Sequence, residues 1–247
     1  MERTVPFEGC INFRDLGGYR GAGGRVLRWR RLFRSDSLHR MTDADVEILT
    51  DELGVRTVVD LRTTRERVEC GPVAAEELPS VSAHHVPLVD QLFAREEEAP
   101  RPSLDDLGAG YVAMLTRAGE QVAGILRLLA EPGALPAVFY CAAGKDRTGA
   151  LAGVVLGLLG VDDDDVVADY ALTDPVAAAI LERVGADTVD YEELWGRLPA
   201  DARRAPAHVM TNMLAAIRRN HGSVEGFAES LGVGPDVVAG LRKALLT

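Results

Sequence analysis

The sequence predicts an α/β protein, with a mostly parallel central sheet flanked by helices and extra helices at the carboxyl end. Three observations carry this. Short β-branched or aromatic runs, VRTVVDL at 55–61 and VFY at 138–140, alternate with longer segments of helical periodicity, as strand–helix–strand units require. The stretch Thr148–Leu159 is apolar on every side, which marks a central helix rather than a surface one. Beyond about residue 173 only helical stripes remain. A chain of 247 residues can bury a full core. One domain over 1–247 is expected, with a core at about 10–172 and a helical part at about 173–247.

In chain order, residues 1–11 read as a tail leading into the domain. Asn12–Tyr19 crowds Asn, Arg, Asp and two glycines into a turn-rich loop. Arg30–Leu38 carries a short strand. Thr42 suits an N-cap, Asp43 and Asp45 the first helical turn, and Gly54 the stop, with Val46, Leu49 and Leu53 as the buried stripe. Val55–Leu61 is the next strand and has Asp60 and Arg62 at its end. Loops beyond strand C-termini form the site in open α/β sheets, so these two either border the site or pair with each other there.

Thr63–Cys70 reads as a short charged helix and Ser82–Leu88 as a strand whose His84 and His85 are packing or edge residues. A polar, Pro-containing loop then runs from Asp90 to about Asp106, long enough for a lid or binding segment. Gly108–Ala130 has the stripe of one amphipathic helix, and Pro132-Gly133 turns the chain into the 138–140 strand. Asp162–Asp165 precede Val166–Leu172 and are expected to cap a helix rather than bind a cation. Pro175–Val184, Ala205–Arg219, Ser223–Leu231 and Pro235–Leu246 carry helical stripes, the last with Pro at its first position. Tyr191–Trp195 and Met210–Leu214 either roof the site or belong to the core.

The chemistry concentrates in VFYCAAGKDRTG at 138–149. A buried strand ends at Cys141, a helix begins by Thr148, and the loop between must pass over that helix's N-terminus. Backbone N–H groups there lack partners and the dipole is positive, so the place binds anions. Ala142, Ala143 and Gly144 keep bulk away from the donors, and Gly144 is free to take positive φ. Arg147 offers a planar fork to two phosphate oxygens. The same field favours the Cys141 thiolate, the nucleophilic form. A nucleotide P-loop is excluded because Asp146 follows Lys145 where Ser or Thr is needed.

CAAGKDRTG, together with NFRDLGGY at 12–19 and VVDLRTTRE at 58–66, resembles the bacterial tyrosine-phosphatase family with a Cys-x5-Arg signature and an AGKDRTG loop. That family includes secreted mycobacterial enzymes acting on phosphotyrosine, phosphoserine/threonine and phosphoinositides. The resemblance implies a protein-tyrosine-phosphatase-like fold and a phosphocysteine intermediate on Cys141. It implies oxyanion stabilisation by Arg147 and the 142–148 amides, and assistance from the Thr148 hydroxyl. It also implies that Arg14 and Asp15 support the loop. Asp146, in the motif, and Asp90, in the variable loop, compete for the role of general acid. Lys145 would raise the local potential and suit a second phosphate. Tyr140 stands where the family usually has His, which motivates the alternative of a catalytically weak phospho-ligand-binding protein. Sulfur transfer or arsenate reduction is disfavoured, since no resolving cysteine is evident.

Composition narrows the partners. A net charge of −11 argues against non-specific nucleic-acid binding, leaving a phosphorylated protein or lipid as the expected substrate. Three cysteines fit a reducing compartment. The N-terminus lacks an apolar signal core, and the longest uncharged run, Thr148–Val161, is too short to span a bilayer. Cytoplasmic location is expected, with signal-less export the other open route. No cofactor or metal is expected: no Cys, His or Asp cluster has zinc-ligand spacing, and the loop itself supplies the positive charge.

Overall fold

The computed structural model describes residues 2–89, 104–187 and 203–247, with backbone alone for 104–106. Strands β1 (Arg14–Asp15), β2 (Leu32–Ser35), β3 (Thr57–Asp60), β4 (Ser82–His85) and β5 (Ala137–Tyr140) form one sheet in the order β1-β2-β5-β3-β4. β1 runs antiparallel to β2, and the other pairings are parallel. The predicted mostly parallel sheet flanked by helices is therefore what the chain builds. Tyr140 is in register with both Ser35 and Asp60. The ends of the three middle strands are thus level, and Cys141 leaves the central one.

Alternation along β5 divides the core. Phe139 and Cys141 join the larger apolar cluster, while Val138 and Tyr140 face a second one with Phe13, Phe33 and Leu49. The larger cluster forms around helix α5 (Asp146–Leu158), most of whose residues are buried. The all-round apolar pattern predicted that position. α5 begins two residues before Thr148, which places Arg147 in its first turn.

The flanking helices start where their sequences say. α1 (Asp43–Glu47) has a capping box between Thr42 and Asp45, and Gly54 follows at φ +65°. α2 (Thr64–Cys70) has a second box between Thr63 and Glu66. α6 (Asp163–Ala171) has Asp162 at its N-cap and Asp163, Asp164 and Asp165 in its first turn. Among the described residues, the carboxyl part also holds α7 (Ala177–Asp187), α8 (Ala207–His221), α9 (Val224–Ser230) and α10 (Pro235–Leu245).

Two expectations change. Gly108–Ala130 is not one helix: α3 (Leu104–Arg117) and α4 (Gly119–Ala130) meet at Ala118, where ψ is +31° and a weak helix former, Gly119, follows. Residues 2–11 are not a loose tail. Arg3 donates to the carbonyls of Asp15 and Gly17 at 2.7 Å each, Phe7 packs on Phe13, and Cys10 is buried. Of the two roles left open for Met210–Leu214, the core one holds for the methionines: Met210 and Met213 are buried in the larger core, and Met210 Sδ would lie 3.0 Å from a Cβ placed on Gly153 of α5. Tyr191–Trp195 lie outside the described residues. Among the described residues no helix is long and apolar enough to cross a membrane.

Candidate active site

The loop Cys141–Lys145 joins β5 to α5 and is held from outside along its length. The Ala142 carbonyl accepts the Ser37 amide at 3.2 Å, the Ala143 carbonyl accepts Asn12 Nδ2 at 3.2 Å, and the Gly144 carbonyl accepts Arg34 Nη2 at 2.7 Å. Gly144 has φ +64°, and a Cβ there would sit 2.5 Å from the Ser35 carbonyl oxygen. No other residue fits. At Gly149 a Cβ would come within 2.9 Å of the Tyr170 ring and 3.3 Å of Arg34 Nη2. The "TG" of the motif therefore makes room for the partners beneath. Ile180 and Val184 of α7 pack on Ala142 and Ala143.

Cys141 is only 1% exposed and Arg147 5%, so both side chains are buried. Arg147 donates from Nη1 and Nη2 to the two oxygens of Glu66 at 2.5 and 2.7 Å. Burial pushes the Glu66 carboxyl up, but the Arg147 guanidinium and the Thr63 donors outweigh it, leaving Glu66 below the usual carboxylate range. One carboxylate thus both caps α2 and aims the arginine. Thr148 Oγ1 is buried with no hydrogen-bond partner among the described residues, an unusual state for a hydroxyl in a folded interior.

Asp146 is the more open group, its side chain 30% exposed. Tyr111 donates to Asp146 Oδ1 at 2.5 Å, and the Tyr111 and Tyr170 hydroxyls are 3.0 Å apart. Burial, then the Asp146 charge, pushes Tyr111 far above the usual tyrosine range, so it stays a donor. Lys145 Nζ lies 3.3 Å from Asp146 Oδ1 and donates to the Arg204 carbonyl at 3.2 Å. Asp90 lies outside the described residues.

The other sequence candidates fall into two groups. Arg14 lies under the loop, donating to Asn12 Oδ1 at 2.6 Å and to Asp169 Oδ1 at 3.2 Å. Asp15 instead ties the 15–30 turn, accepting the Gly17 and Arg30 amides at 2.7 and 2.6 Å. Asp60 and Arg62 pair with each other, Nη2 to Oδ2 at 2.7 Å. Arg62 also donates to the Tyr140 hydroxyl at 3.1 Å. That trio sits on the face of β5 opposite Phe139 and stiffens the strand from behind.

Sequence reasoning missed Glu66, Asn12, Arg34, Asp169 and Tyr111. Glu66 had a signal, the Thr-x-x-Glu box, but that pattern speaks of helix starts. The others come together only through the fold. Arg34 Nη1 donates to Asp169 Oδ2 at 2.6 Å across 135 residues of chain.

Two features lie apart from the loop. His39, Cys70 and Asp187 place potential metal ligands within 4.8 Å of one another. Both Asp187 oxygens are already taken by Arg40. A cavity of about 530 Å³ is lined by Arg25, Arg28, Val238 and Arg242 among others. Arg242 Nε donates to the Leu158 carbonyl, so this cavity lies at the far end of α5 from Cys141. The cavity and the Cys141–Lys145 loop are thus separate features.

A family model described as "Tyrosine phosphatase family" matches residues 5–247. The chain belongs to that family. Its relatives are of the same kind. The triple specificity protein phosphatase PtpB of Mycobacterium tuberculosis is 29% identical, the match covering 99% of each chain. A tyrosine-protein phosphatase of Nostoc commune is 29% identical over 86% of this chain and 73% of its own. A Cupriavidus necator protein with a provisional tyrosine-protein phosphatase name is 35% identical over 67% of this chain, a match spanning 61% of that relative. Family membership makes the fork from Glu66 to Arg147 a direct target. Glu66→Gln keeps the shape but removes the charge, and Arg147 loses its orientation. A fall in kcat/KM on the order of 10²-fold is expected in steady-state kinetics; an unchanged value would show that Arg147 needs no such partner.

Proposed function

We propose that the chain hydrolyses phosphoric monoesters through a phosphocysteine intermediate, with phosphotyrosine as a substrate and phosphoserine/threonine or phosphoinositide monoesters as further ones. The observation that carries this is the placement of Cys141 just after β5, at the start of a short loop leading to a helix whose first turn holds Arg147 and the Thr148 hydroxyl, which has no partner among the described residues. In the first step the Cys141 thiolate attacks phosphorus, the P–O ester bond breaks, and Asp146 protonates the leaving oxygen. Arg147 and the loop amides hold the equatorial oxygens. Water then attacks phosphorus, Asp146 takes its proton, and the P–S bond breaks to return the thiolate. Thr148 stabilises that departing sulfur.

Breadth of substrate is supported by the name of the mycobacterial relative, triple specificity, and by Lys145 beside Asp146. A malachite-green assay on phosphotyrosine, phosphoserine and phosphothreonine peptides and on mono- and poly-phosphoinositides tests it. Release from the phosphotyrosine peptide is expected, and failure with every phosphoester would reject the proposal. Comparable rates across the set would defeat tyrosine specificity but not the reaction.

Assignment of the acid has its own test. Asp146→Asn is expected to lower kcat by about 10²–10³-fold on a phosphotyrosine peptide, within the usual range for loss of proton transfer. It should lower it far less on p-nitrophenyl phosphate, whose leaving group needs little protonation. Equal losses on both would move the role to Asp90.

The competing reading is a phospho-ligand-binding protein with little turnover, and the burial of Cys141 favours it. Tight binding of a phosphotyrosine peptide without phosphate release would establish it.

A further inference from the structure

The peptide groups of the loop are oriented by a buried charge cluster that the catalytic steps do not use directly. Asp169 of α6 is 1% exposed and accepts from two arginines. On one arm Arg34 bridges from Asp169 to the Gly144 carbonyl. On the other, Arg14 bridges from Asp169 to Asn12 Oδ1 at 2.6 Å. That contact leaves the Asn12 amide nitrogen as the donor to Ala143 at 3.2 Å. Both loop carbonyls therefore point outward, toward β1 and β2. In a planar trans peptide the N–H points opposite to the carbonyl that precedes it. Turning the Ala143 carbonyl outward turns the Gly144 amide inward, and turning the Gly144 carbonyl outward does the same for the Lys145 amide. The Gly144 amide donates to no backbone carbonyl among the described residues.

We propose that Asp169 is a positioning residue which, through Arg34 and through Arg14 with Asn12, aims the Gly144 and Lys145 amides at the equatorial oxygens of the phosphoryl group. This rests on the phosphatase reading above. The ion pairs set direction as well as stability. Arg34 offers a rigid fork with one tine on Asp169 and the other on the loop, which a lysine reproduces only in charge. The two arms act on adjacent peptides, so each controls a different amide.

The probe is inorganic tungstate, a tetrahedral oxyanion, titrated into Cys141→Ser protein while the backbone amide resonances are followed. The Gly144 amide proton should move downfield on binding. Asn12→Ala in that background should abolish the Gly144 shift and weaken tungstate about tenfold, the scale of one hydrogen bond to a charged group. In the otherwise unaltered enzyme, Arg34→Met should reduce kcat for p-nitrophenyl phosphate on the order of 10²-fold, as loss of an oxyanion donor does, with KM within about threefold. Arg34→Lys should recover part of that loss. Should Arg34→Met fail to fold, Asn12→Ala carries the test alone. Variants with a lowered thermal midpoint but unchanged tungstate affinity and Gly144 shift would overturn the inference, leaving the phosphatase reading intact. A Cys141→Ser protein that binds no tungstate, together with an unaltered chain that releases no phosphate, would overturn both.

Discussion

Cys141→Ser is expected to lower kcat for p-nitrophenyl phosphate by at least about 10⁴-fold while leaving tungstate affinity within about threefold. Position and acidity give the reason. Residue 141 is the first beyond the central strand as the chain turns toward the N-terminus of α5, which in the proposed reaction puts an atom on its Cβ against the oxyanion held there. A thiol is intrinsically a stronger acid than an alcohol and its thiolate a stronger nucleophile, and among the described residues the loop's hydrogen-bond partners Asn12, Arg34 and Arg204 include no histidine that could activate a serine. The proposed oxyanion binders, Arg147 and the amides, are untouched by the change. Binding and chemistry should therefore separate. The steric change is one atom in a buried position, so the unfolding midpoint should move little. Residual activity above about 1% of the unaltered chain would mean that another group attacks phosphorus.

The loop was legible because its chemistry is local. Cys141, Gly144 and Arg147 follow one another within seven residues that run from the end of one strand into the first turn of one helix. The sheet was legible for the same reason: β3 and β5 are short apolar runs with clear ends. What orients the loop was not legible, because it is assembled across long separations. Glu66 meets Arg147 over 81 residues, and Arg34 meets Asp169 over 135. Each appears in the sequence as an ordinary charged residue, Glu66 even as a good helix cap. Asp60 and Arg62 show the converse. Their place at a strand end fits two roles, and only the fold reveals that the guanidinium turns to Asp60 and Tyr140. Residues 2–11 were misjudged because their anchors, Asp15, Gly17 and Phe13, lie later in the chain. The break at Ala118 escaped because the apolar residues Tyr111, Leu115, Ala118, Val122, Ile125 and Leu129 keep their spacing and are all buried on both sides of it.

Asp169→Asn is expected to cost about 3–5 kcal/mol of stability at pH 7, the scale for removing one partner from a buried ion-pair group. The change leaves Arg14 and Arg34, both buried, facing each other without a counter-charge. Arg34 is already strained in this sense: burial, and then the Arg14 charge, bring its guanidinium down to about 10, against the pull of Asp169. The pH dependence separates this from simple loss of packing. Burial alone would raise the Asp169 carboxyl, yet the two arginines hold it below the usual aspartate range. A carboxylate depressed in the folded state adds stability at pH values above its unfolded value, about 3.9, and loses it as pH falls through the folded value. The gap in urea midpoint between the unaltered chain and Asp169→Asn should therefore be full from pH 7 down to about 5 and narrow below about 4. The difference between the two proteins is the quantity to follow, because Asp36 works in the opposite direction. Its burial raises the carboxyl despite the Asn12 and Ile11 amides, so its ionised form opposes folding and that penalty fades on acidification. A gap that stays constant from pH 7 to pH 3 would show that Asp169 contributes shape rather than charge.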